Sequence, residues 1–376
     1  MSTKIRVRSP YYLRYSDSNF HYVEIEIWIL PNGQTPSSAA FYTIKKYEVG
    51  TNNYAVVEIS ELVRDYLDQY TEFDGNYNTT NNRPNWVRIQ SKIYNDATPP
   101  VQQGTTSTEL LLAFDGYSYF EDGINQLISD TQYFLTDATK LRKPNGESIT
   151  VAINAEAVDN AGGLSCTAAF WNNGSKVAST EIIISTSGSI PDSQNAATKV
   201  DFVSSGINDV DEVRIYRDDT ITDPVLLATI PVITQDCSKY DATKLTFINK
   251  YGVLQDLFFF SKTVKTLKVE GEEYKASNLT LNTSPPSYDT YKHQYTTFDK
   301  QGAESIVLNS GLVGEEYNEP MRQLMLSEKV WMTEGSTVYP VKVKTTNFRE
   351  KTSLNDKAFN YAIELEYAFD KVQNIR

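Results

Sequence analysis

Two histidines and two cysteines are all that the chain offers for imidazole or thiol chemistry. His21 and His293 each lack a neighbour at metal-ligand spacing. Cys166 and Cys237 stand too far apart for a zinc or redox motif. A histidine-based triad would need Ser and Asp to converge through folding. His293 sits in the alternating run Tyr291-Lys292-His293-Gln294-Tyr295 and reads as a strand-surface or core residue. Cys166 shares its strand side with Ala168 and Phe170, which predicts a buried free thiol. The two cysteines could pair, but two are too few for a disulfide framework.

Carboxylates are the remaining source of acid–base chemistry, since two of them can run glycoside hydrolysis. They cluster at Asp209, Asp211 and Glu212; at Asp218 and Asp219; at Glu270, Glu272 and Glu273; and at Glu315, Glu316 and Glu319. Most fall in turns or on polar faces and read as solvated, with calcium binding as the other reading. Asn208-Asp209-Val210-Asp211-Glu212 lacks the glycine and closing glutamate of an EF-hand loop. Asp256 stands in apolar Leu254-Gln255-Asp256-Leu257, which predicts a hydrogen-bonded structural role. There is no phosphate loop. The adjacent Gly162-Gly163 pair reads as a turn, and no Gly-x-Ser-x-Gly elbow or βαβ alternation is present. The expectation is a protein without catalytic, cofactor-binding or metal-binding residues, and not an enzyme.

The elements around these residues are β-rich. The chain has 376 residues, 40% hydrophobic, 22% charged and 12% aromatic, with 25 tyrosines. That composition supports packed cores and favours strands. Tyrosine also suits contact surfaces, because it offers apolar area with a polar tip. A net charge of −13 disfavours general nucleic-acid binding. The N-terminus has no apolar run of signal-peptide length, and no stretch approaches the ~20 apolar residues of a membrane helix. The expectation is a soluble chain made in a cytoplasm, in which sequons such as Asn78-Thr79-Thr80 carry no meaning.

Residues 1–117 read as a β-sandwich. In residues 22–29, Val23, Ile25, Ile27 and Ile29 share one face, opposite Glu24 and Glu26. Residues 41–49, 86–94 and 110–114 add strands. Residues 59–70 recur at helical spacing, with Ser60 as N-cap. Residues 118–146 form a connector, with a short helix within 120–130 and a turn over 141–146. Residues 147–235 read as a second sandwich of immunoglobulin-like or fibronectin-like kind, with a hairpin at Asn172-Asn173-Gly174. Residues 236–376 form a C-terminal β-rich domain with a short helix over 320–326. The final run alternates: Tyr361, Ile363, Leu365, Tyr367 and Phe369 share one face, which predicts a strand closing the last domain. No internal repeat of fixed period is visible. The fold class is mainly β, with serial sandwiches and few short helices.

Five residues stand out as interface candidates. Phe258, Phe259 and Phe260 are consecutive, so a strand sends them to both faces, and core or a partner must cover each face. If all three are buried within the chain itself, they are no argument for a partner. Trp28 shares the Glu24/Glu26 face and Trp86 the Arg88/Lys92 face, so both are expected at the surface. Two functions fit: a structural subunit with large interfaces, or a receptor- or carbohydrate-binding module that uses exposed Trp28, Trp86, Trp171 or Trp331.

Several stretches resemble virion proteins of tailed phages, especially those infecting Bacteroidota. They are Arg8-Ser9-Pro10-Tyr11-Tyr12 with the Val57-to-Tyr66 segment; Lys244 to Asp256; and Leu354-Asn355-Asp356-Lys357 on to Asp370. The resemblance implies a tail, hub or baseplate component, non-enzymatic and forming a ring or similar oligomer. Its partners would be copies of itself and other virion proteins, and its place the virion, after synthesis in the host cytoplasm. Such families bring no catalytic residues to transfer.

Overall fold

The computed structural model describes residues 3–30, 39–50, 52–67, 72–77, 84–155, 165–182, 200–207, 209–218, 224–235, 239–282, 284–351 and 359–372. The chain is mainly β.

The first unit contains β1 (Thr3–Arg6), β2 (Tyr12–Ser16), β3 (Tyr22–Leu30), β4 (Tyr42–Tyr47), β5 (Tyr54–Glu58), β6 (Asn85–Tyr94) and β7 (Gln102–Phe114). One sheet runs β1-β7-β6-β3-β4, and a ribbon of β2 and β5 pairs separately. Period-two alternation sends Val23, Ile25, Ile27 and Ile29 toward Leu13, Tyr15 and Val57. Helix α1 (Ser60–Leu67) adds Val63 and Leu67 to the same core. Ser60, expected as the N-cap, is the first residue of α1 and ties the helix start to the connection between β1 and β2. Its hydroxyl donates to Ser9 O at 2.8 Å and accepts from Tyr11 N at 2.7 Å.

The second unit repeats the plan. It contains β8 (Leu141–Pro144), β9 (Ile149–Asn154), β10 (Ser165–Asn172), β11 (Ser175–Glu181), β12 (Val200–Ser205), β13 (Glu212–Asp218) and β14 (Pro224–Gln235). Its sheet runs β11-β10-β13-β14-β8, facing the pair β12-β9. Each strand matches its counterpart in the first unit, including the parallel pairing of first strand with last. Two sheets of this connectivity make an immunoglobulin-like sandwich. The expected hairpin is present, with Asn173 and Gly174 at φ of 48° and 75°. Two local expectations need correction. Residues 141–144 form strand β8 before the turn, because they pair with β14. In the connector only Phe120–Asp122 forms a single 3-10 turn.

The third unit contains β15 (Thr243–Ile248), β16 (Leu254–Phe259), β17 (Val264–Lys275), β18 (Leu279–Thr280), β19 (Ser287–Tyr288), β20 (Tyr295–Asn309), α2 (Asn318–Leu326), β21 (Val330–Glu334), β22 (Thr337–Val343) and β23 (Ala362–Tyr367). The sheet order is β16-β15-β21-β22-β23-β20-β17. It curls: just past β16, Ser261 N donates to Asn309 O of β20 at 3.1 Å. Met321 and Leu324 of α2 enter the enclosed core. β23 lies inside the sheet, between β22 and β20, and buries Tyr361, Ile363, Leu365 and Tyr367 as the alternation predicts; Phe369 stays 44% exposed.

A fourth core joins all three units. Trp28, Trp86 and Phe114 come from the first, Ala152 and Phe202 from the second, and Ile248, Tyr251 and Trp331 from the third. The chain passes itself closely here. A Cβ on Gly116 would lie 2.5 Å from Lys250 O, and one on Gly252 would lie 2.5 Å from Gly116 N. Gly252 also needs its positive φ of 75°.

Candidate interaction surface

The five interface candidates are all buried within the chain. Phe258, Phe259 and Phe260 are 2%, 0% and 5% exposed. The strand leaves β15 and crosses to β20 at Phe260, so all three rings fall within one enclosed core. Tyr317 caps them, its hydroxyl donating to Phe258 O at 2.8 Å. By the criterion set above, the triplet is no argument for a partner. Trp28 and Trp86 are each 7% exposed, which corrects their expected place at the surface. The face assignment holds, but exposure changes along it. The Glu24/Glu26 end meets solvent, whereas the Trp28/Leu30 end meets the junction core. Trp331 is buried there too, and Trp171 lies under the Arg214 guanidinium, 4.1 Å from its ring.

Many polar groups around the junction are paired, although the buried Tyr117 hydroxyl has no hydrogen-bond partner among the described residues. The Tyr119 hydroxyl donates to Glu319 at 2.7 Å, and Gln323 donates to Glu319 at 2.8 Å and to Asp137 at 3.1 Å. Lys250 stands 3.6 Å from both Asp122 and Asp137. Burial pushes the Tyr117 phenol up to about 12. Arg142 of β8 donates through two nitrogens to Glu316 Oε1, at 2.8 and 2.6 Å. Burial alone would raise that carboxyl. The backbone N–H groups of Glu316 and Gly314, with the Arg142 guanidinium, outweigh it and hold the pKa below its ordinary value. Asp256 accepts from Tyr77 at 2.7 Å and from Thr246 at 2.7 Å, as expected of a structural carboxylate. Its enclosure pushes its pKa up. These groups fasten one unit to another; none aims a nucleophile and a base at a common open point.

Several carboxylates of the acidic clusters are also engaged, while Asp219 lies outside the described residues. Asp211 accepts from Asn173 N at 2.7 Å, and Glu212 pairs with Arg214 at 2.6 Å. Glu270 pairs with Lys268, and Glu319 with Arg322 at 3.2 Å. Among the described residues, no three or more His, Cys, Asp and Glu side chains gather as a metal would require. Cys166 is buried, as expected; Cys237 and Gly162-Gly163 lie outside the described residues. His21 packs edge-on against Tyr22 and Tyr47, and His293 is exposed.

What reaches outward is the hairpin of β17 and β20. Near the body, β20 is covered by β23 over Ser305–Asn309, and Lys371 N bonds to Gly302 O at 2.8 Å. Beyond that the two strands run on as a bare ribbon, tipped by the small β18–β19 pair. Every residue of β17 is exposed. Leu267 and Val269 keep 56% and 58% of their surface, Tyr274 54%, Tyr288 70%, Tyr291 78% and Phe298 46%. Asp299, at a φ of 51°, marks a bulge on β20 that leaves β17 regular. The sequence marks this region only as part of a β-rich domain, and the run Tyr291 to Gln294, expected to alternate as a strand, lies before β20 begins at Tyr295. The available signal was composition: Lys and Glu interleave with the apolar residues on both faces of β17, as no enclosed strand allows.

No family model matches the chain, and no curated protein matches it. Among solved structures, extracellular domains 3–5 of Drosophila OTK align over 81% of this chain and 88% of that one. The identity is 7% and the TM-score 0.19, an overlap too low to carry an argument.

Proposed function

We propose that this chain is a non-enzymatic structural subunit of a phage virion, a tail, hub or baseplate component that assembles with copies of itself and with other virion proteins. The observation that carries the reading is the exposed arm. Aromatic and aliphatic side chains, interleaved with Lys and Glu, line a projecting ribbon that adds nothing to any core of its own chain, and apolar side chains held out on such an element suit contact with a partner. A rigid body of three fastened units with one projecting contact element suits a repeated part in an assembly. The sequence resemblance to tailed-phage virion proteins points the same way.

The rival, a receptor- or carbohydrate-binding module, loses its tryptophan platforms: Trp28, Trp86 and Trp331 are buried and Trp171 is capped by Arg214. It retains Tyr288 and Tyr291 at the tip of the arm. Mass spectrometry and immunogold labelling of purified particles separate the readings. The structural subunit is present in fixed multiple copies at a defined place. Absence from particles, or turnover of a glycan by the purified chain, contradicts it.

A further inference from the structure

We infer that the free edge of β17 is a self-pairing surface, on which a second copy of this chain adds its own β17 antiparallel about a two-fold axis through Val269. This deepens the assembly reading above and rests on it.

β17 ends the sheet order, and no strand among the described residues takes its outer edge. Twelve consecutive residues there are exposed, a longer bare edge than proteins usually leave unguarded. Edge strands are commonly blunted by charge of one sign, which repels a copy. Here both signs are present and divide about Val269: Lys265 and Lys268 precede it, Glu270, Glu272 and Glu273 follow it, and Lys275 ends the strand. With the axis at Val269, Lys268 faces the copy's Glu270, Lys265 faces its Glu273, and Val264 faces its Tyr274. Each pair then occurs twice, as a two-fold interface requires. Directly opposed unlike charges stabilise a strand pair, and like charges destabilise it. Moving the axis by one residue sets Lys268 against itself or Glu270 against itself, so charge selects one register. Within one chain Lys268 already bonds Glu270, so pairing completes an alternating square of four charges. Lys265 also reaches Glu334 at 2.7 Å, leaving Lys268 and Glu270 as the central pair.

The test uses the full chain. Val269→Cys places a cysteine opposite its own copy, where paired Cα atoms stand about 4.5–5.5 Å apart, within disulfide reach. Leu267→Cys would meet its copy about 13 Å away along the strands and cannot cross-link. Mild oxidation is expected to give covalent dimers from the first variant and none from the second. In sedimentation, Lys268→Glu and Glu270→Lys should each weaken the dimer about tenfold or more, while an equimolar mixture of the two restores it, since every facing pair is again unlike. Circular dichroism should find both variants folded, because the Lys268–Glu270 bond is exposed. A parent that stays monomeric without a Val269→Cys cross-link overturns the inference. So does a dimer indifferent to the charge variants, or a mixture that fails to restore it. None of these removes the chain from particles, so the assembly reading fails only by the particle assay.

Discussion

Trp28, Trp86 and Trp331 at the junction are each 7% exposed, whereas Tyr288, Tyr291 and Tyr295 on the arm keep 70%, 78% and 56% of their surface. Both regions are β-structure with large side chains recurring along strands. They differ in what lies opposite. At the junction, the outer face of one sandwich meets the outer face of the second and the start of the third unit, so rings from three parts of the chain share one core. On the arm, two strands have only each other. An isolated ribbon cannot bury its own faces. Large side chains stabilise folding at the first place and remain available for contact at the second.

The strongest way to break this comparison is to make the body of the third unit resemble the arm. β20 runs through both: one end is covered by β23, the other is bare. A chain ending before Tyr361 loses four buried side chains from the middle of the sheet. At ~1.5–3 kcal/mol each, they rival the whole ~5–15 kcal/mol margin of a domain. The truncated chain should lose the cooperative unfolding of the third unit in calorimetry. A melting temperature equal to the parent's would show that β23 closes nothing.

Next is the junction itself. Trp86→Ala removes a ring from the shared core and should cost about 3–5 kcal/mol, read by urea denaturation. Because the core is shared, the loss should also loosen the coupling between units and split one transition into two. A change within ~0.5 kcal/mol would mean that Trp86 behaves as an exposed residue.

The Arg142–Glu316 tie gives a smaller, pH-dependent effect. The folded pKa of Glu316 lies below its ordinary 4.5. The folded state therefore binds its proton less readily than the unfolded state. The resulting stability is fully present above that value and is lost as pH falls through the folded pKa. Glu316→Gln should cost about 1 kcal/mol at pH 7 and flatten this part of the acid-unfolding curve. An unchanged curve would show that the tie adds nothing.

The arm should show the least. Tyr291→Ser and Phe298→Thr should each change stability by under ~0.5 kcal/mol in the free chain, despite removing aromatic rings. A loss near that of Trp86→Ala would mean the arm packs against its own body.

Strand periodicity made much of this legible. The alternation at Val23 to Ile29 and at Tyr361 to Tyr367 names core faces that the structure keeps. The doubled seven-strand plan was not legible. Strand order is set by long-range pairing, and the two sandwiches share topology without a shared residue pattern. The interface candidates were misplaced for a related reason. Alternation tells which side chains share a face, but not what covers that face. Trp28 lies on the same face as Glu24, yet only Trp28 reaches the point where three units meet. For Phe258 to Phe260, the rule of opposite faces assumes a strand in a flat sheet, and this strand crosses from β15 to β20. On the arm, only a β-rich character was visible, and the absence of a covering layer depends on where β23 stops.

Hydrogen–deuterium exchange of the full chain, free and in the assembled particle, tests the contrast most directly. The account predicts that amides on the outer edge of β17 exchange fast in the free chain and become protected on assembly, while those of β3 and β6 around Trp28 and Trp86 are slow in both. Arm amides that exchange equally fast in the particle, with new protection at the junction, would contradict it.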